Sequence, residues 1–152
     1  MLFNICVGSP TVASYLRNLI VSSGLGRVAR ASGLDDLWGQ PENHTRADIV
    51  ILEYRDDPSL DAWIAKKTAY SDSPGIFLLF PQASEQDLLK ALALGVHGFF
   101  HLPVDQEDFQ ASVASYQRMA AWFNARPYLM PTYLKAASLS RLPQVWKVIS
   151  DQ

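Results

Sequence analysis

Apolar residues along the chain alternate between short continuous runs and stretches with helical spacing. Leu2 to Val7 is a short apolar run closed by Gly8-Ser9-Pro10, and Val12, Tyr15, Leu16, Leu19 and Ile20 then recur at intervals of three and four. The pattern predicts a strand, a turn and a helix, with Ser9 or Thr11 as cap, Pro10 at the turn or first helical position, and Gly24 and Gly26 at the exit. Arg27 to Ala31 follows as a second strand. Residues 33–38 have room for about one and a half helical turns, and the polar residues 39–46 form a loop. Ala47-Asp-Ile-Val-Ile-Leu-Glu53 places four consecutive apolar residues between two carboxylates. A run of that kind is expected of a strand covered on both faces, with parallel neighbours.

Beyond the turn at Arg55-Asp56-Asp57-Pro58, Leu60, Trp63 and Ile64 give a helix one apolar face. Ile76 to Phe80 is a fourth strand. Ser84, with Asp87 three residues on, is placed to cap a helix carrying Leu88, Leu89, Leu92 and Ala93 and closed by Gly95. Gly98 to His101 is a fifth strand stopped by Pro103, and a last helix from about Gln106 carries Phe109, Val113, Tyr116, Met119 and Phe123. Five strands alternating with five helices predict an α/β fold, a doubly wound five-stranded parallel sheet. The pattern changes near residue 125, so the chain divides into residues 1–124 and a helical C-terminal extension, 125–152. That extension is rich in apolar residues (Tyr133, Leu134, Leu142, Val145, Trp146 and Ile149) and is broken by prolines, so it is expected to dock on something rather than trail as a solvated linker.

Composition narrows the chemistry. With 152 residues, 49% of them hydrophobic, the chain suits one main domain with a sizeable core. The net charge of -2 is spread without a basic run, which argues against nucleic-acid binding. Cys6 is the single cysteine, so neither a disulfide framework nor a thiolate metal site is encoded, and a cytoplasmic setting is expected. No apolar stretch reaches the ~20 residues that cross a bilayer, so membrane insertion is not expected.

Two segments carry a family resemblance. Arg27-Val-Ala-Arg-Ala-Ser-Gly-Leu-Asp-Asp-Leu37 is similar to the second strand and following turn of response regulator receiver domains, the CheY-like family. Leu92 to Pro103 resembles that family's "A-x-x-A-G-A-x-x-Y-L-x-K-P" segment. The resemblance runs from Leu2 to Phe123 and implies the flavodoxin/CheY-like strand order 2-1-3-4-5. Receivers accept a phosphoryl group on an aspartate ending the third strand. Mg²⁺ is held there by that aspartate and an acidic pair after the first strand, while a lysine before the fifth-strand proline and a Ser/Thr after the fourth strand assist.

Laid along this chain, the acceptor position is Glu53, the acidic pair falls on Val7 and Gly8, the Ser/Thr on Phe80, and the lysine on Leu102. Such a set offers a divalent ion one carboxylate and offers the phosphoryl group neither cation nor hydroxyl, so no metal, cofactor or catalysis is expected. The implied function is a non-catalytic pseudo-receiver, a signalling or protein-interaction module most similar to the degenerate receivers of Tad-type pilus-assembly and localisation ATPases. The alternative is a phosphoreceiver whose acceptor is altered or relocated to Glu53, Asp56 or Asp57. Asp56 and Asp57 also read as turn residues, and His97 and His101 as a turn and a strand-edge histidine. The partner expected is a protein, either a histidine kinase or a pilus-assembly ATPase. A homodimer is also expected through the fourth helix, fifth strand and fifth helix, or through the extension, with Leu89, Phe99, Tyr116 and Phe123 as interface candidates. Phe80 and Leu102 are expected to fill the former phosphoryl site together with hydrocarbon.

Overall fold

The computed structural model describes residues 1–32, 47–68, 74–82 and 84–125. The expected second helix, the loop after it and the C-terminal extension lie outside these residues, as does the side chain of Phe123. Along the chain the elements are β1 (Leu2–Cys6), α1 (Pro10–Ser22), β2 (Arg27–Ser32), β3 (Ile49–Glu53), α2 (Pro58–Thr68), β4 (Gly75–Phe80), α3 (Glu85–Leu94), β5 (Gly98–His101) and α4 (Gln106–Ala125). All five strands are parallel, in the order β2-β1-β3-β4-β5. This is the doubly wound α/β arrangement the pattern predicts, and α3 and α4 are the segments read there as fourth and fifth helices.

Parity along each strand sorts the core into two layers. Val50 and Leu52 of β3, with Ile76, Leu78 and Phe80 of β4, face Leu60, Trp63 and Ile64 of α2 and Leu88 and Ala91 of α3. Ile49, Ile51, Phe77 and Leu79 point the other way, onto Leu16, Leu19 and Ile20 of α1 and Phe109 and Val113 of α4. Both layers bury their strand residues almost completely, which explains why β3 and β4 read as unbroken apolar runs.

Local chemistry sets the element ends. Ser9 caps α1, its Oγ accepting from the Val12 amide at 3.4 Å, and Pro10 stands at the start of the helix. Ser84 caps α3 through a 3.1 Å bond from the Asp87 amide, and Gly95 ends it in the left-handed conformation at φ 75°. β3 starts at Ile49 rather than Ala47, because Asp48 uses its side chain to accept the Leu2 amide at 2.7 Å. The apolar residues of α3 divide between core and surface. Leu88 and Ala91 are buried with Leu92 partly so, whereas Leu89 is 49% exposed and Ala93 faces solvent.

Candidate functional site

The C-terminal edge of the sheet is where parallel α/β proteins carry out their chemistry, and here it gathers the ends of β1, β3, β4 and β5. Glu53 closes β3, half-buried, and its Oε2 accepts a 2.6 Å hydrogen bond from the amide of Gly8 just beyond β1. Glutamate is one methylene longer than aspartate, and that length lets it reach across the strand gap. A Cβ built on Gly8 would stand 3.0 Å from Glu53 Oε2 and 3.8 Å from Arg55 Nη2, so two side chains from the β3 end converge on this one residue. Val7, the other acidic-pair position, is 95% buried on the α1–α4 side.

Phe80 and Leu102 do not fill one site. Phe80 is fully buried in the α2–α3 layer, its ring 5.0 Å from that of Tyr54, whereas Leu102 is half-buried against the α1–α4 layer. Their backbones do meet, through a 3.1 Å bond from the Leu102 amide to the Phe80 carbonyl, and strand parity then sends the side chains to opposite faces. The Leu102–Pro103 peptide is cis, as the corresponding bond commonly is in receivers.

The two aspartates after β3 are engaged in structure. Asp57 Oδ1 accepts the Ser59 amide at 2.9 Å at the entrance to α2. Asp56 pairs with Lys90 of α3 at 3.1 Å, and the same ammonium meets Asp61 of α2 at 2.7 Å. Asp61, then Tyr54 and Asp56, raise the pKa of Lys90 above its ordinary value. Tyr54 lies beneath this ammonium, which is 5.9 Å from its ring centroid. Burial raises the Tyr54 pKa, against the opposing pull of Lys90, and its hydroxyl is buried with no partner in hydrogen-bond geometry. Neither Lys90 nor Arg55 stood out in the sequence. The available signal was the Glu-x-Arg spacing, which puts Arg55 just past the strand end beside Glu53.

The histidines sit apart from this edge or at its rim. His97 Nδ1 accepts the Ile76 amide at 3.0 Å, and its ring stands edge-on to Tyr116 at 5.3 Å. His101, the last residue of β5, is exposed. Among the interface candidates, Leu89 is on the surface, but Phe99 is 94% buried in the α2–α3 layer and Tyr116 packs over Gly75 and Phe77. The sheet edge at β5 is covered by helices on both faces, and aromatic residues there pack inward. Trp122 of α4, 43% exposed, lies on the surface and was not singled out by pattern.

The Mg²⁺ of the receiver family does not fit this donor set. Val7 and Gly8 supply no side-chain oxygen, Glu53 is engaged with the Gly8 amide, and among the described residues no three His, Cys, Asp or Glu side chains converge. A cavity of about 430 Å³ opens beside Gly8, lined also by Val7, Pro10, Ala13, Ser14, Arg17 and Ala31.

A five-stranded parallel sheet in this order with helices on both faces is the flavodoxin/CheY-like fold, the fold of response regulator receiver domains. Solved structures agree. A protein described as pilus assembly-related from Burkholderia pseudomallei superposes with a TM-score of 0.64 at 21% identity, over 80% of this chain and 90% of its own. A protein described as the pilus assembly protein CpaE from Burkholderia thailandensis gives 0.64 at 20% identity, over 80% and 98%. A CheY-like response regulator from Mesorhizobium loti gives 0.61 at 16% identity, over 76% and 97%. No protein-family model matches the sequence, and no curated protein does. Among the described residues no helix is long and apolar enough to cross a membrane.

Proposed function

We propose that this chain is a pseudo-receiver, a non-catalytic signalling or protein-interaction module that takes no phosphoryl group by the aspartate and Mg²⁺ route. The observation that carries this reading is the state of the Glu53 carboxylate. It is tied to the Gly8 amide at 2.6 Å, and the positions that align with the receivers' acidic pair, hydroxyl and lysine are Val7, Gly8, Phe80 and Leu102, none of which has a polar side chain. Phosphoryl transfer depends on cations that neutralise the equatorial oxygens, and a lone carboxylate cannot supply them. The relocated alternatives have little support, since Asp56 is ion-paired and Asp57 binds the start of α2.

The partner is a protein, and the likeness to two proteins described as pilus assembly proteins favours a pilus-assembly or localisation ATPase over a histidine kinase. The face offered to it is built from α3, β5 and α4, with Leu89 and Trp122 as its exposed apolar residues. The same face or residues 125–152 would serve a homodimer, and the setting is the cytoplasm.

Incubation with Mg²⁺ and a small acyl phosphate, followed by intact mass measurement, tests the central claim. No phosphate-sized gain is expected. A stoichiometric, hydroxylamine-labile adduct mapped to Glu53, Asp56 or Asp57 would establish the phosphoreceiver instead.

A further inference from the structure

We propose that Arg55 is the resident cation of the Glu53 site, its guanidinium standing in the gap where a receiver holds its divalent metal and closing the carboxylate to metal ions. The inference rests on the pseudo-receiver reading of this site and adds what holds it in that state. Receivers seat the metal between the acidic side chain ending the third strand and the residues just after the first. Here that gap lies between Glu53 and Gly8, and the point where a Gly8 side chain would begin has Glu53 Oε2 at 3.0 Å and Arg55 Nη2 at 3.8 Å. The absence of a side chain at Gly8 is what lets Glu53 Oε2 come so near, and Arg55 Nη2 stands at van der Waals distance from the same point.

The substitution is chemically coherent. A guanidinium is charged at every physiological pH and is weakly hydrated, so it stands beside a single carboxylate without a completed ligand shell. Mg²⁺ demands near-octahedral oxygen coordination, which one carboxylate supports only weakly, so a neighbouring positive charge is enough to exclude it. An ion approaching Glu53 meets the positive charge of a residue only two positions along the chain from the carboxylate it would bind. The site therefore carries its own counter-charge in every cellular state and gives no response to Mg²⁺ or phosphodonor levels.

The test uses Mn²⁺, a paramagnetic stand-in for Mg²⁺, titrated into the full chain while the Gly8 amide resonance is followed. In the wild type no saturable broadening of that resonance is expected. Arg55→Ala should open the site, with affinity for Mn²⁺ rising by about tenfold or more. Arg55→Lys, which keeps the charge, should stay closed, and Glu53→Gln added to Arg55→Ala should close the opened site. Arg55 is exposed, so its truncation removes no core packing. An Arg55→Ala protein as inert as the wild type would overturn this assignment and leave the pseudo-receiver reading standing. Broadening in Arg55→Lys equal to that in Arg55→Ala would overturn it too, by showing that charge is not the barrier. Saturable Mn²⁺ binding at Gly8 in the wild type would overturn both.

Discussion

Glu53 shows how one methylene redirects a site. An aspartate ending β3 projects toward a ligand, whereas the longer side chain folds across to the Gly8 amide and satisfies itself within the protein. Glycine at position 8 suits this closeness, because a Cβ there meets Glu53 Oε2 at 3.0 Å and the carboxylate would have to shift. Gly8→Asp, which restores one family carboxylate, should therefore destabilise the fold by about 1–2 kcal/mol through crowding and like charge. Adding Glu53→Gln should recover much of that loss by removing one of the two charges. Chemical denaturation of the three proteins measures it, and a Gly8→Asp protein as stable as the wild type would mean that Glu53 moves aside freely. At this scale the sequence supplied the proposed counterparts of the acidic pair, the hydroxyl and the lysine. It did not reveal that Arg55 joins Glu53 at Gly8, since a contact between loops some forty-five residues apart exists only once β1 and β3 are paired.

Helices α3 and α4 are joined to the sheet by different means. Lys90 ties α3 to Asp61 of α2 and to Asp56, an exposed network whose contribution solvent keeps small. α4 is held by burial, with Phe109 and Val113 fully enclosed and Tyr116 lying over Gly75 so closely that a Cβ there would stand 2.6 Å from its ring. Burial pushes the Tyr116 hydroxyl up to about 12 from 10.0, opposed by its hydrogen bond with the Gly75 backbone. Folding therefore favours the protonated phenol. The stability this gives is complete below pH 10 and falls as pH climbs toward 12, because the unfolded chain releases the proton first. The whole loss amounts to roughly 2–3 kcal/mol. Urea unfolding across this range should show a shallower alkaline decline for Tyr116→Phe than for the wild type, with Tyr54, also raised by burial, supplying part of what remains. Identical declines would mean that Tyr116 ionises without leaving its packed position. Helical periodicity made both helices legible, yet it did not single out Ala91, which is buried, because three- and four-residue spacing leaves the exact facing of a short helix open.

At the scale of the whole molecule, the described residues already cover the sheet with a buried apolar layer on each face, and they leave Leu89 and Trp122 on the surface. Residues 126–152 bring Tyr133, Leu134, Leu142, Val145, Trp146 and Ile149, a quantity of apolar surface that a chain gains by burying. We expect this segment to cover the α3–α4 face or to join two copies of the chain. Removing it should lower stability by at least about 2 kcal/mol or increase self-association. Melting and sedimentation velocity of the shortened and complete chains decide this, and equality in both would make the segment a passive appendage.

The sequence by itself determined the alternation of strands and helices, the cap at Ser84 and the glycine exit at Gly95, and it narrowed the first cap to Ser9 or Thr11. These depend on local conformation and on side-chain identity, both of which are written in neighbouring positions. The tertiary structure alone decided that Phe80 and Leu102 part to opposite faces, that Phe99 and Tyr116 pack inward, and that Glu53, Gly8 and Arg55 form one site. Those outcomes depend on strand parity and on which strands lie side by side, and chain crossovers set both only when the sheet assembles.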